Sequence, residues 1–360
     1  FNKGFTFTTT SSLGSSSGSL ISGQVGAWSA GGSLNTGRNG HNQCTGAGVA
    51  AANAVSLFGG EVPGSPHALS ANTENYDGVS WSEQGDLTDG GRRDGAGFGT
   101  QNAGVYTGGF TNTSTPYGGC KCTEHFSGTD WSEAEAFPHN MGYSAGAGTQ
   151  NAGLVAFGGT APQNGVVNVG SPYFVEYNGS EWVNAGTAPD FSPHTSQVRH
   201  AMAGIQNAAV TVGNGHNPGG GGPYLGCTVL NYNGDSWSVG VSTPNSVKRV
   251  SLGGTQNDVL SAGGYALPQY TYQQVGDYAQ RFDGTSWSQL GSLVNTQMAA
   301  GGAGLTSYAM TLYGGFTPNP TNTAYLDDTQ EYFEGIANLT VDRLKANHLT
   351  GNGSALSKFF

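Results

Sequence analysis

The sequence predicts an all-β propeller of six four-stranded blades, and three markers recurring in step along the chain predict it. Six tryptophans, Trp28, Trp81, Trp131, Trp182, Trp237 and Trp287, stand 53, 50, 51, 55 and 50 residues apart. An apolar run ends in a Gly-Gly or Gly-Asn pair once per interval: Gly59-Gly60, Gly108-Gly109, Gly158-Gly159, Gly213-Asn214, Gly263-Gly264 and Gly314-Gly315. Before each later Trp comes an aromatic-x-Gly step: Tyr76-Asp77-Gly78, Phe126-Ser127-Gly128, Tyr177-Asn178-Gly179, Tyr232-Asn233-Gly234 and Phe282-Asp283-Gly284. A fixed period of roughly 20–50 residues marks a repeat array.

One unit, residues 141–186, reads as four strands. Tyr143-Ser144-Ala145-Gly146-Ala147-Gly148 is a strand of small residues, suited to the crowded axis. Gln150-Asn151 then turns the chain, since Asn tolerates positive φ. Gly153-Leu154-Val155-Ala156-Phe157 is an apolar run of strand length closed by the glycine pair. After a variable loop, Tyr173-Phe174-Val175-Glu176-Tyr177 alternates as a strand does. Asn178-Gly179 is a hairpin signal, and Glu181-Trp182-Val183 begins the fourth strand. The Trp and aromatic positions are expected to fill the space between successive sheets.

The ends of the array complement each other. Phe333-Glu334-Gly335 repeats the aromatic-x-Gly step but has no Trp after it, whereas Ala27-Trp28-Ser29 precedes any glycine pair. The Trp28 strand is therefore expected to complete the last blade, leaving no open sheet edge to aggregate. On this reading 1–22 is a Ser/Thr/Gly-rich arm or linker, 23–335 the propeller, and 336–360 a connecting flank. The start, Phe1-Asn2-Lys3-Gly4-Phe5, has neither an initiator Met nor the pattern of a signal peptide, so a processed chain or a piece of a longer one is expected.

Composition agrees with short strands and tight turns. Glycine makes up 62 of 360 residues, more than twice the usual share of about 7%. Only 10% of residues are charged and 11% are aromatic, so the chain is not of the charged, aromatic-poor kind that stays unfolded. With 23 acidic against 12 basic residues and no basic cluster, nucleic acid is not an expected partner. No apolar run reaches about 18 residues, so insertion into a membrane by a helix is not expected either.

The glycine pair followed by a downstream Trp resembles the kelch-like propellers over residues 24–335. The Asp-Gly turn usual in that superfamily is replaced by Gln101-Asn102, Gln150-Asn151, Gln206-Asn207 and Gln256-Asn257. Units one and six depart further, with Ala51-Ala52-Asn53 and Thr306-Ser307. The run from Gly146 to Gly159, with Tyr177-Asn178-Gly179-Ser180-Glu181-Trp182 after it, is similar to repeats in virion and tail-associated proteins of marine bacteriophages. That likeness implies a virion or other extracellular location and a structural or recognition role. The implied partners are other virion or appendage proteins and a host-surface glycan or protein.

Propellers also host enzymes, and each such chemistry requires its own set of residues. A radical copper oxidase needs two Tyr and two His on the metal, with a Cys bonded to one Tyr. The eight His (41, 67, 125, 139, 194, 200, 216 and 348) are scattered over different units. A sialidase needs an arginine cluster; its Asp-box turn resembles Asp283-Gly284-Thr285-Ser286-Trp287, and Arg92-Arg93, Arg199 and Arg249 share a register. The alternative for these arginines is hydrogen bonding to carbonyls at blade junctions, which we expect. Cys120-Lys121-Cys122 with His125, and His41 with Cys44, match structural zinc spacing poorly. Buried free thiols are expected at Cys120 and Cys122, with a local disulfide as the alternative. The sequons at Asn112, Asn178, Asn338 and Asn352 are of the number chance supplies in so Asn/Ser/Thr-rich a chain. No catalytic, cofactor-binding or metal-binding residue is expected.

The stretch after each glycine pair varies most, and six such loops leave equivalent points and decorate one face. Loop variation on a rigid scaffold is how binding surfaces are built. The candidate contact residues are Tyr117, Tyr173, Tyr224, Tyr265, Tyr270 and Tyr272. The expected function is non-enzymatic recognition through that face, the alternative being a secreted copper radical oxidase or sialidase-like enzyme acting on carbohydrate.

Overall fold

A computed structural model describes residues 26–39, 54–64, 68–111, 118–140, 142–163, 166–170, 173–188, 201–214, 227–245, 247–266, 276–319 and 322–334. Every regular element among them is a β-strand. Antiparallel sheets repeat around a ring as six blades, so the protein is a six-bladed β-propeller. Blades 2 to 5 each use four consecutive strands, from axis to rim. Blade 2 has Ala96–Thr100, Ala103–Thr107, Thr123–Phe126 and Trp131–Glu133. Blade 3 has Ala145–Thr149, Ala152–Ala156, Tyr173–Tyr177 and Trp182–Thr187. Blade 4 has Ala201–Ile205, Ala208–Asn214, Thr228–Tyr232 and Trp237–Val239. Blade 5 has Ser251–Thr255, Asp258–Ala262, Ala279–Phe282 and Trp287–Gln289. Three strands of blade 1 are described: Val55–Phe58, Thr73–Tyr76 and Trp81–Gln84.

Blade 6 closes the ring. Its strands Gly301–Thr306, Ala309–Tyr313 and Thr329–Phe333 are completed at the rim by Ala27–Ala30. The register places Trp28 opposite Tyr332 and Ala27 opposite Phe333. The spare first Trp and the missing last Trp thus form one sheet, as the sequence predicts. The flanks expected at 1–22 and 336–360 lie outside the described residues.

The core is divided among the seams between blades. Phe58 of blade 1 packs with Tyr106, Phe126 and Trp131 of blade 2. Phe98 and Val105 of blade 2 meet Val155, Val175 and Tyr177 of blade 3. Leu154 and Phe174 of blade 3 meet Met202, Tyr232 and Trp237 of blade 4. Val210 and Val212 of blade 4 meet Val259 and Phe282 of blade 5. Leu260 of blade 5 meets Trp28, Met310 and Tyr332 of blade 6. Tyr313 of blade 6 meets Val55, Tyr76 and Trp81 of blade 1 and shuts the circle. Each large side chain so buried contributes roughly 1.5–3 kcal/mol.

Hydrogen bonds across the seams explain the Gln-Asn dialect. Each Gln extends its carboxamide to the preceding blade and donates to two backbone carbonyls there. Gln101 reaches Val55 and Tyr76, Gln150 reaches Gly104 and Phe126, Gln206 reaches Gly153 and Tyr177, and Gln256 reaches Ala209 and Tyr232, all within 2.6–3.2 Å. Blade 6 lacks the Gln, and Ser307 donates instead to the Asp258 carboxylate of blade 5. Thus the Gln of each of these turns is an interblade clamp.

A second set of seam bonds joins tyrosine hydroxyls to the preceding blade. Tyr177 meets His125 at 2.9 Å, Tyr232 donates to Glu176 at 2.9 Å, and Tyr76 donates to Glu331 at 3.1 Å. At the seam between blades 4 and 5 the tyrosine is replaced by Phe282, and the facing Asn231 Oδ1 is buried without a partner.

The first residue of each glycine pair takes the left-handed conformation, with φ of 67° at Gly59 and 64° at Gly108. A Cβ on Gly59 would stand 2.6 Å from the Arg92 carbonyl of the next blade. In blade 3 the sequence pairing is off by one. Phe157, not Gly158, occupies this position, with φ 58°, and Gly158 takes the second. This point lies six positions after the turn Asn in blades 2 to 5, and the strand length overrides the visible glycine pair. A non-Gly residue there is strained, but Phe157 is fully buried with its ring 4.8 Å from Trp237. The Asn178-Gly179 hairpin is likewise a four-residue turn, its Asn178 Oδ1 accepting from the amides of Ser180 and Glu181.

Two outcomes test the seams. Gln150→Ala removes two bonds from semi-buried carbonyls and should cost about 1–3 kcal/mol, read by urea unfolding. Phe282→Tyr supplies the donor missing at Asn231 and should raise stability by about 0.5–1.5 kcal/mol in the same assay.

Candidate functional site: the loop face

Among the described residues the elaboration of the ring stands on one face. The turns between first and second strands, and between third and fourth, are short and lie on the opposite face. On the loop face, the stretch after the second strand folds into a two-stranded ribbon in four blades. These are Glu61–Val62 with Ala68–Leu69, Phe110–Thr111 with Gly118–Gly119, Gly159–Gln163 with Val166–Gly170, and Phe316–Asn319 with Asn322–Tyr325. In blade 5, Tyr265–Ala266 pairs instead with Val247–Lys248, the segment leading into the blade. Lead-in segments of the other blades touch their own ribbons through the bridges Asn39–Glu61, Arg93–Phe110, Gly142–Gly159 and Met298–Phe316. In blades 2, 3 and 6 the lead-in segment and the adjoining ribbon strand thereby continue the first two strands above the ring.

The predicted contact tyrosines separate into three groups. Tyr117, Tyr224, Tyr270 and Tyr272 lie outside the described residues. Tyr265 is placed by its backbone on the loop face opposite Lys248. Tyr173 starts the third strand of blade 3 and is 41% exposed. Its ring stacks on His139 at 4.9 Å with 5° between the planes, and Phe137 lies 6.0 Å from the same imidazole. Burial, followed by the positive charge of Lys121, holds His139 below the ordinary histidine range. A neutral imidazole backed by a phenol is a flat platform of the sort that accepts an apolar ring face. His139 was not singled out for this role in the sequence because its partner is 34 residues away.

The arginines are engaged in the scaffold. Arg38 and Arg92 are fully buried, paired with Glu74 and Glu124 on the third strands of their own blades. Arg38 also donates to the carbonyls of Gly59 and Asn72, and Arg92 to that of Tyr106 while lying 4.4 Å over its ring. Glu124 accepts further bonds from the Thr88 amide and hydroxyl. The same slot in blade 6 holds Gln297, bonded to Gln330. Arg93 reaches across to Glu61 of the blade 1 ribbon at 2.8 Å, and Tyr325 of the blade 6 ribbon donates to the same carboxylate at 2.7 Å. Burial, then Glu61, pushes the Tyr325 hydroxyl up to about 12, so it stays a donor. Arg249 lies 5.8 Å over the Phe316 ring. Arg199 lies outside the described residues. Arg92 and Arg93 therefore serve carboxylates and carbonyls at blade junctions.

The axis offers a second concavity. Its cavity of about 230 Å³ is bounded by first strands of blades 2 to 6, with Phe98, Met202 and Leu252 among many Gly and Ala. No charged side chain belongs to this described lining. The Asp-box-like turn is structural: Asp283 Oδ1 accepts from the amides of Thr285 and Ser286, which hold its carboxyl below the usual range. Among the described residues no three or more His, Cys, Asp and Glu side chains gather as a metal-binding group. No described helix is long and apolar enough to cross a membrane.

The cysteine expectation is corrected. Cys120 and Cys122 form a disulfide with Cα atoms 5.2 Å apart, and both are half-buried. The chain here has left the blade ladder between ribbon and third strand, so the two side chains converge. Cys227 is free and also half-buried.

No protein-family model and no curated protein matches this sequence. The class that fold and face define is a six-bladed propeller with ribbons raised on one side.

The seam histidine gives a pH test. Burial holds His125, the partner of Tyr177, below 6.5, so the fold favours the neutral ring. Its contribution is complete above 6.5 and declines as the pH falls toward the folded value, because the unfolded chain takes up the proton first. NMR titration should place the His125 midpoint below 6.5, and His125→Gln should flatten the loss of stability that sets in as the pH falls below 6.5.

Proposed function

We propose that the chain is a non-enzymatic recognition module of kelch-like type, carried on a phage virion, tail or other extracellular appendage. It would engage a host-surface glycan or protein through the ribbon face while its ring provides the rigid mount. One observation carries this reading: the extra structure in the described blades rises on the same side, where Tyr173 stands exposed against His139. Tyrosine amid Gly, Ser and Asn gives rigid contact area with adaptable hydrogen bonding. Support also comes from Arg92 and Arg93, whose charges are paired with carboxylates within the scaffold. The phage assignment rests on the repeat dialect alone.

A glycan array and host-cell binding assay with the full chain test it. Tyr173→Ala should weaken binding at least tenfold, whereas Thr285→Ala on the opposite face should leave it unchanged. Equal effects of both substitutions, or turnover of a galactose-type alcohol with copper or of a sialoside, would defeat the proposal.

A further inference from the structure

The Cys120–Cys122 disulfide has features that a purely structural crosslink does not need. It closes a ring containing a single intervening residue, Lys121, so it restrains little of the unfolded chain. The backbone on either side is already held by the blade. The Cys120 amide donates to the Gly109 carbonyl at 2.8 Å, and the Cys122 carbonyl accepts from the Gly108 amide at 2.9 Å. The Thr107 hydroxyl adds a bond to the same Cys122 carbonyl, and the Lys121 carbonyl is fixed by the Phe137 amide. These bonds hold the backbone on both sides of the pair independently of the crosslink.

The two sulfurs are unlike. The Cys122 amide donates to Cys120 Sγ at 2.8 Å, so negative charge arising on Cys120 meets an N–H already aimed at it. Lys121, the residue between them in the chain, is exposed and carries a positive charge. The nearby His139 is held neutral by burial and by that same lysine, and Glu124, two residues on, is engaged by Arg92. A sulfur with an amide donor and a neighbouring cation is the better leaving group in exchange.

We infer that Cys120–Cys122 is a reversible thiol–disulfide exchange site on the loop face, with Cys122 Sγ the attacked sulfur and Cys120 Sγ the leaving group. Its co-reactant is a dithiol. One thiolate of the dithiol bonds to Cys122 Sγ as the S–S bond breaks, and the electron pair departs on Cys120 Sγ. The second thiolate of the dithiol then attacks its own sulfur in the mixed disulfide and releases Cys122. The dithiol loses two electrons and two protons and becomes a disulfide, and the cysteine pair gains both.

The test uses the full chain and dithiothreitol at pH 7, with iodoacetamide trapping read by mass spectrometry. Native protein should be reduced within tenfold of the rate in urea, with the near-ultraviolet signal of the seam tryptophans unchanged. After reduction, Cys120 should alkylate with a midpoint at least one pH unit below that of Cys227, and Lys121→Gln should move that midpoint upward. Native reduction more than a hundredfold slower than in urea would overturn the inference. So would loss of the tryptophan signal on reduction, or a Cys120 profile coinciding with that of Cys227.

Discussion

The structure depends on the closing of the ring at blade 6, where Ala27–Ala30 adds to Thr329–Phe333. Each blade buries its two faces against neighbours, so no blade has a core of its own. A ring left open would expose the faces of two blades and an edge strand together. Pairing the first described strand with the last makes every seam depend on one long-range contact. Trp28 and Tyr332, with centroids 5.3 Å apart, seal that contact by packing toward blade 5.

The seams are built alike and finished differently. Aromatic packing supplies the favourable energy, while the Gln carboxamides satisfy carbonyls that the sheets leave near each turn. Where the repeat departs, a chemically equivalent solution replaces it: Ser307 and Asp258 stand for a Gln clamp, and Gln297 and Gln330 for a buried Arg–Glu pair. Such pairs are expensive to desolvate, and their value lies in fixing the lead-in segments of blades 1 and 2 to their third strands. That segment carries the left-handed residues Asp94, Tyr143, Arg249 and Ala299 at equivalent points. Rigid lead-ins in turn hold the ribbons above the ring. The loop face is thereby a surface mounted on the ring.

Blade number, closure and the positions of seam aromatics were legible from Trp, glycine and aromatic spacing, because a repeat multiplies a weak local signal. The ribbons' common face was legible for the same reason. The register of blade 3 was not, since Gly158-Gly159 imitates the pair that Phe157 actually begins. Nor was the duty of the glutamines, whose targets lie 24 to 53 residues earlier in the chain. Of the contact tyrosines, Tyr173 gained a partner in His139 that no local pattern links to it.

The sequence by itself determined an all-β ring, its six units and the strand exchanged between its ends, because periodic burial and turn chemistry are local properties repeated in phase. Tertiary structure alone decided which arginines are buried, that Cys120 and Cys122 are joined, and which ring stacks on Tyr173. Those outcomes depend on distances between residues far apart in the chain, or on a few degrees of backbone direction. Residue type and spacing do not encode either one.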